Sequence, residues 1–305
     1  MSKVVILGVF VADTAYRAVR QPSIGETILG KSFTLGPGGK GSNQAVAAGM
    51  LGSSVAFVSR LGKDAFASMA HATWARAGVT PVITEDDESY TGAAFIFVDD
   101  ASGNNAIIIS PGAAARISVA DVDARADLIR GASVAVTQLE QPLEAAARFL
   151  EIARGGDART ILNPAPAAPL PDGMLRLCDF LTPNETEAEA LTGIRIVTMD
   201  DACRAADALL ARGVGAAVIT LGERGVLYRS HTETVHVPVF TAGPVIETTG
   251  AGDAFNGGFA VALADGLTAV EAVRFGCATA SISVTRPGAA TAMPTRKEVQ
   301  MLLGG

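Results

Sequence analysis

Short, continuous apolar runs alternate with helical stretches along this chain, and that alternation leaves few folds open to it. Val4-Val5-Ile6-Leu7-Gly8 is apolar, β-branched at its start and closed by glycine, which reads as a strand buried on both faces. Asn43 to Leu51 follows as an Ala-rich helix, Ser54 to Ser59 as a strand, and Asp64 to Ala77 as a helix. The rhythm resumes with strand Ser133 to Gln138, helix Leu143 to Arg154 and strand Thr160 to Leu162. Asp179 to Thr182, Glu185 to Leu191, Ala202 to Arg212 and Ala216 to Leu221 continue as strand, helix, helix and strand. Helices from Gly252, Thr268 and Thr295 finish the chain. Strands alternating with helices predict an α/β fold, with a central, mostly parallel sheet flanked by helices on both faces.

Two segments break that rhythm. Glu26 to Leu35 alternates like an antiparallel strand, and Thr91 to Val98 and Asn105 to Ser110 flank the turn-forming Asp99-Asp100-Ala101-Ser102-Gly103-Asn104. The expectation is one α/β domain over 1–305, carrying a small β-sheet built from insertions at about 11–36 and 91–111. A lid over a cleft and an ordinary edge extension both fit such an element.

Charge and cysteine usage narrow the function classes. A formal net charge of -7, with no long basic run, makes nucleic acid and anionic membrane poor partners. Cys178, Cys203 and Cys277 are odd in number and scattered, and His71, His231 and His236 have no ligand spacing. A zinc site or disulfide framework is therefore not expected, and a reducing compartment fits. Met1 to Phe10 is too short an apolar run for a secretory signal, so a cytoplasmic location is expected.

The chemistry concentrates in Glu247-Thr248-Thr249-Gly250-Ala251-Gly252-Asp253, which runs into the helical stretch containing Phe259 to Ala264, read as amphipathic. Open N–H groups and the positive end of a helix dipole favour an anion there, and glycines let a ligand approach the backbone. A carboxylate beside an anion site serves binding poorly. It serves catalysis if it takes a proton from a nucleophile attacking a phosphate. An Asp cap on a plain helix uses the same letters. Neither a dinucleotide fingerprint nor a P-loop fits this stretch.

Other polar loops also follow strands. Gly36-Pro37-Gly38-Gly39-Lys40-Gly41-Ser42-Asn43-Gln44 offers bare N–H groups, one Lys and Asn43, which suit a polyol but equally a capped turn. Asp13 and Glu140 stand after strand ends, where carboxylates can accept sugar hydroxyls or simply be solvated. In Thr182-Pro183-Asn184-Glu185-Thr186-Glu187, Asn184 and Glu187 fit a capping box, or a holder of phosphate oxygens and hydrated Mg²⁺. Thr220-Leu221-Gly222-Glu223-Arg224-Gly225 can line a nucleotide or form a bracketed turn. Together these loops leave one end of the sheet, and that concentration favours an active-site cleft.

In this order and spacing the motifs resemble the ribokinase family of sugar kinases, in the phosphofructokinase-B superfamily, along essentially the full chain. The resemblance rests on Gly38-Gly39-Lys40-Gly41-Ser42-Asn43 with Gly52 and Gly62, on Asn184-Glu185-Thr186-Glu187, and on Gly250-Ala251-Gly252-Asp253. It implies ATP- and Mg²⁺-dependent phosphorylation of a sugar's primary hydroxyl, D-ribose to ribose 5-phosphate above all. By the family pattern Asp253 is the general base, and the amides of Gly250, Ala251 and Gly252 form the anion hole. Asp13, Gly39, Lys40, Asn43 and Glu140 match sugar contacts. Asn184, Glu187, Thr220, Gly222, Gly225 and Gly252 match the nucleotide side. The resemblance also implies a homodimer through the β lid, and a K⁺ site at Glu247 with carbonyls at Thr249, Ser283, Arg286 and Gly288.

Three positions depart from the pattern: Val11 stands for the usual Asn, Glu247 for Asp, and Ala292 for Ser. A kinase for another sugar or a nucleoside is the alternative enzyme. A sugar- or nucleotide-binding regulator is the alternative outside catalysis.

Overall fold

A computed structural model describes residues 3–171 and 173–304. The chain opens with β1 (Val4–Leu7), β2 (Val11–Ala18), β3 (Ser32–Gly38), α1 (Lys40–Met50), β4 (Val55–Leu61) and α2 (Ala65–Ala77). It continues with β5 (Val79–Glu85), β6 (Thr91–Asp99), β7 (Asn105–Gly112), α3 (Val119–Asp123), α4 (Ala126–Arg130), β8 (Val134–Thr137) and α5 (Leu143–Arg154). Next come β9 (Arg159–Leu162), β10 (Phe180–Leu181), α6 (Glu185–Thr192), α7 (Met199–Ala211) and β11 (Ala216–Thr220). The last elements are β12 (Val226–Ser230), β13 (Thr234–Val237), α8 (Ala251–Ala264), α9 (Ala269–Ser283) and α10 (Arg296–Gly304).

The main sheet has the order β13-β12-β11-β10-β9-β8-β1-β4-β5 and is parallel except where β12 pairs antiparallel with β11 and β13. Strand side chains alternate between two helical layers, as the period of two requires. Val4, Ile6, Val134 and Val136 join α1, α2, α8 and α9, whereas Val5, Leu7 and Ala135 join α5. Towards the other end of the sheet, Leu162, Leu181, Ala217 and Ile219 pack on α7. The expected α/β architecture is therefore what the chain forms. No helix among the described residues is long and apolar enough to cross a membrane.

A second sheet, β3-β2-β6-β7, stands apart from the first. Its strand pairs are antiparallel except β2–β6, which is parallel. Two details of the sequence reading change here. Strand pairing starts at Ser32 opposite Arg17 rather than at Glu26. The reason is local: Glu26 N–H donates to the Ser23 carbonyl at 3.0 Å and Ser23 N–H to Glu26 Oε2 at 2.9 Å, closing a turn. Asp13 lies within β2, opposite Gly36 and Ala94, rather than in a loop after β1.

Helix α8 also differs from its reading. Phe259 to Leu263 are all buried, so the run is not amphipathic but enclosed. Glycines make the enclosure tight: a Cβ on Gly257 would meet Ala47 Cβ at 2.5 Å and the Gln44 carbonyl at 2.8 Å. A Cβ on Gly258 would meet Thr279 Oγ1 at 2.5 Å. Helices α1 and α9 thus close on α8 from two sides, and α1 brings Asn43 and Gln44 to the first turn of α8.

Candidate active site

The carboxyl ends of β9 to β11 and the first turns of α1, α6 and α8 converge on one pocket. Lys40, Asn184, Glu187, Thr220, Gly252 and Asp253 line it. Four separated sequence motifs therefore meet in space, while Asp13 and Glu140 lie outside this lining.

Helix α8 begins at Gly250, which adopts φ 77° as its N-cap. Only glycine takes that conformation freely, and a Cβ there would lie 2.8 Å from Ala289 Cβ. Ala251 N–H is spent on the Thr248 carbonyl at 3.1 Å. Gly252 and Asp253 N–H have no hydrogen-bond partner among the described residues. A Cβ on Gly252 would meet nothing within 4 Å, so a ligand can occupy that space. Of the three amides expected to form the anion hole, Ala251 is thus committed, whereas Gly250 and Gly252, with Asp253 beyond them, have no partner among the described residues.

Asp253 is 7% exposed. Asn43 Nδ2 donates to its Oδ2 at 3.0 Å and Gln44 Nε2 to its Oδ1 at 3.1 Å. Burial pushes its proton affinity up, while Lys40, Asn43 and Gln44 pull it down. The net direction is upward, and a buried carboxyl with raised proton affinity and fixed donors is the arrangement a proton acceptor needs.

On the β1–β8 side, Lys40 N–H donates to Glu140 Oε2 at 2.8 Å. Burial raises Glu140 to about 7, against the pull of Lys40, and burial raises Asp13 to about 6. A Cβ on Gly38 would lie 2.2 Å from Asp13 Oδ2, so β3 must be bare where it passes this carboxylate. Gly39, at φ 90°, lets α1 start directly beyond. Asn43 Oδ1 is buried without a protein partner, which leaves it available to a ligand hydroxyl. Val11 is buried on the Asp13 face of β2, two residues away.

Across the pocket, Asn184 N–H donates to Glu187 Oε2 at 2.9 Å and Glu187 N–H to Asn184 Oδ1 at 2.8 Å. The capping box is therefore real, as it is at Ser118, Thr198 and Thr268. Among these four it alone faces the pocket, with Asn184 Nδ2 and Glu187 Oε1 uncommitted to the box. Burial raises the Glu187 carboxyl, offset by the Asn184 N–H and Lys40. One carboxylate oxygen suits Mg²⁺, which keeps most of its waters. No described trio of His, Cys, Asp or Glu side chains forms a metal cage.

Thr220 N–H donates to the Pro183 carbonyl at 2.9 Å, joining the β11 loop to the capping box. Gly222 and Gly225 take φ 56° and 89° around the following turn. Arg224 pins that turn through Glu185 and the Val197 carbonyl, each at 2.7 Å.

The candidate cation residues form a separate cluster that does not line the pocket. Ile246 and Glu247 N–H both donate to the Val284 carbonyl, at 2.8 and 3.2 Å. Glu247 Oε2 accepts the Gly288 N–H at 2.8 Å. The segments holding Thr249, Ser283, Arg286 and Gly288 are thereby held side by side, although the Ser283 carbonyl already accepts Arg286 N–H at 3.1 Å.

Sequence reasoning missed Gln138 and Asn163 and gave Gln44, Thr182 and Asn256 no role. All five are buried and hydrogen-bonded around Asp253 and Gly252. Their one sequence signal is polarity at the ends of apolar strands and inside buried helices.

Comparison with known proteins gives a consistent family. The chain matches the pfkB family carbohydrate kinase over residues 1–296. It is 39% identical over 294 residues to a ribokinase of Haemophilus influenzae, covering 96% of this chain and 95% of that one. A deoxyribokinase of Salmonella typhi is 35% identical over 294 residues, covering 96% and 95%. The structure of Arabidopsis thaliana ribokinase complexed with ribose and ATP matches with a TM-score of 0.96 at 32% identity, covering 100% and 99%.

Proposed function

The chain belongs to the pfkB family of carbohydrate kinases, and we propose that within it this protein phosphorylates the primary hydroxyl of a pentose, D-ribose to ribose 5-phosphate. The observation that carries this reading is Asp253, held by Asn43 and Gln44 at the open end of α8. Asp253 takes the hydroxyl proton as the sugar oxygen attacks the γ-phosphorus of ATP, and the bond to the ADP oxygen breaks. The Gly252 and Asp253 amides stabilise the charge that develops, each donor contributing about 3 kcal/mol in comparable sites.

Asp13, Gly39, Lys40, Asn43 and Glu140 bind the sugar. Asn184, Glu187 and the Thr220–Gly225 turn bind the nucleotide, and Glu187 would hold Mg²⁺, which would neutralise phosphate charge when bound. K⁺ activation is supported by the paired segments at Glu247 and Gly288. The second sheet acts as a lid. Its outer face carries Tyr16, Phe33, Leu35, Phe95 and Ile108, each at least 39% exposed, and this apolar area suits a second copy of the chain. Three free thiols fit a reducing cytoplasm.

A second reading is favoured by Val11. A sugar hydroxyl turned toward this buried, apolar side chain finds no partner there, which costs about 1–3 kcal/mol. A deoxypentose avoids that cost, and the family contains deoxyribokinases such as the relative above.

ADP release from ATP and Mg²⁺, measured against pentoses, deoxypentoses, hexoses and nucleosides with and without K⁺, separates the readings. Fastest turnover on ribose supports the first, and fastest turnover on 2-deoxyribose supports the second. No turnover on any sugar with folded protein overturns both.

A further inference from the structure

Two series of hydrogen bonds, joined through Thr182 and buried except at their last link, run beneath the pocket. Gln138 Nε2 donates to Gln44 Oε1 at 2.7 Å, and Gln44 Nε2 donates to both Asp253 Oδ1 and Asn163 Oδ1 at 3.1 Å. Asn163 Nδ2 donates to the Thr182 carbonyl at 3.0 Å, and Thr182 Oγ1 donates to Asn256 Oδ1 at 2.7 Å. Asn256 Nδ2 ends the series on the Gly252 carbonyl at 2.8 Å. Every donor points the same way. The series starts beside the sugar-side loop, passes the carboxylate of Asp253 and stops on the backbone of the anion hole.

The direction is set from the backbone end. The Gly252 carbonyl can only accept, so Asn256 must present its NH₂ there and its oxygen to Thr182. The Thr182 carbonyl likewise forces Asn163 to present NH₂, which turns the Asn163 oxygen toward Gln44. Gln44 must then face Asp253 with its NH₂, and its oxygen accepts Gln138. Reversing any one amide sets acceptor against acceptor among buried side chains, and such orphaned groups are costly. The crossing at Gln138 is also tight: Cβ atoms on Gly8 or Gly41 would lie 2.5 and 2.7 Å from its Oε1.

We propose that Gln138, Gln44, Asn163, Thr182 and Asn256 act as one positioning relay, which sets the donor face of Gln44 against the base and ties the base to the anion hole. The relay rests on the reading of Asp253 as base. None of the five is itself required to touch a reacting atom. Their effect is to hold Asp253 and Gly252 in one geometry, and displacements of about 1 Å in such sites cost on the order of 10²-fold in rate.

The test is a kinetic cycle on two residues that do not touch each other, Gln138→Met and Thr182→Val. Each is expected to lower kcat about tenfold to a hundredfold, with KM for ATP and sugar little changed. The double variant should lose no more than the worse single variant, and Thr182→Ser, which keeps the hydroxyl, should recover the rate. Losses that multiply, or wild-type kcat in a folded Gln138→Met protein, overturn the relay. Should Thr182→Val not fold, the pH profile of Gln138→Met decides alone. Lys40 on α1, Glu140 after β8 and Glu187 on α6 still face Asp253 in that variant. A loosened Gln44 donor then moves the acid limb of kcat to higher pH, and an unmoved limb overturns the proposal. Asp253→Asn is run beside these variants: retained turnover there sinks the base reading itself, whereas multiplying losses with an inactive Asp253→Asn sink only the relay.

Discussion

The crossing of α1 on α8 and the second sheet are built on opposite terms. At the crossing, Gly257 removes a side chain so that Ala47 and the Gln44 carbonyl can close in, and both oxygens of Asp253 receive a donor. In the second sheet, Phe33 is 55% and Ile108 is 65% exposed, and Tyr16 packs at a tilt against Phe33 and Phe95 at its surface, with ring centroids 5.0 and 5.5 Å apart. That sheet is held mainly at its roots. Thr91 N–H donates to Asp64 Oδ2 at 2.7 Å, Gly62 N–H to Thr91 Oγ1 at 3.0 Å, and Ala113 N–H to the Tyr90 carbonyl at 2.8 Å. A close-packed crossing holds a buried carboxyl in one geometry, because its neighbours have little room to move. An element fixed at its base with open faces can cover a substrate or meet a partner.

Substitutions break this contrast in graded ways. The largest effect is expected at the crossing from Asp253→Asn, which should lower kcat by about 10²–10⁴-fold while ATP affinity, read by calorimetry, is largely kept. Near-wild-type turnover would remove the base assignment. Next comes Gly257→Val. Its side chain has no room against backbone, so stability should fall by about 1–3 kcal/mol, or about 2–4 °C of Tm per kcal/mol, and activity should fall with it as α1 moves. An unchanged melting curve would mean that the crossing is looser than its contacts imply.

In the second sheet, Phe33→Glu should convert a dimer to monomer in sedimentation while shifting Tm less than Gly257→Val does. An unchanged mass would place any partner elsewhere. The smallest effect is a slope. Burial raises Glu140 from 4.5 to about 7, so the folded state holds that proton more tightly than the unfolded chain. Its contribution to stability is full below pH 4.5 and is lost as pH rises through about 7. Glu140→Gln should make Tm fall less over that window, and an equal slope in both proteins would contradict the assignment.

Much of the fold was legible because each β–α unit carries its own signal. Leu143–Arg154 matches its reading residue for residue, and the strands at Thr160–Leu162 and Ala216–Leu221 shift by one residue. The antiparallel additions were harder. Val11–Ala18 shows no run that separates strand from loop, and Glu26–Leu35 alternates like a strand until its own Ser23–Glu26 turn intervenes. For the site, the glycine and carboxylate motifs were visible in sequence, and Lys40, Asn184, Glu187, Thr220, Gly252 and Asp253 do line one pocket. Ala251 was read as a free amide because a sequence does not reveal that Thr248 takes its hydrogen bond.

The sequence by itself determined the alternating architecture, most of the loops that line the pocket and the residue at the mouth of α8, since periodicity, glycine and charge are local properties. Only the tertiary structure decided which polar groups meet. Gln44, Gln138 and Asn163 lie up to 119 residues apart and become partners because Gly41 and Gly257 let α1 approach its neighbours. A side-chain amide looks alike in any helix or strand end, and its role is set by what it is buried against.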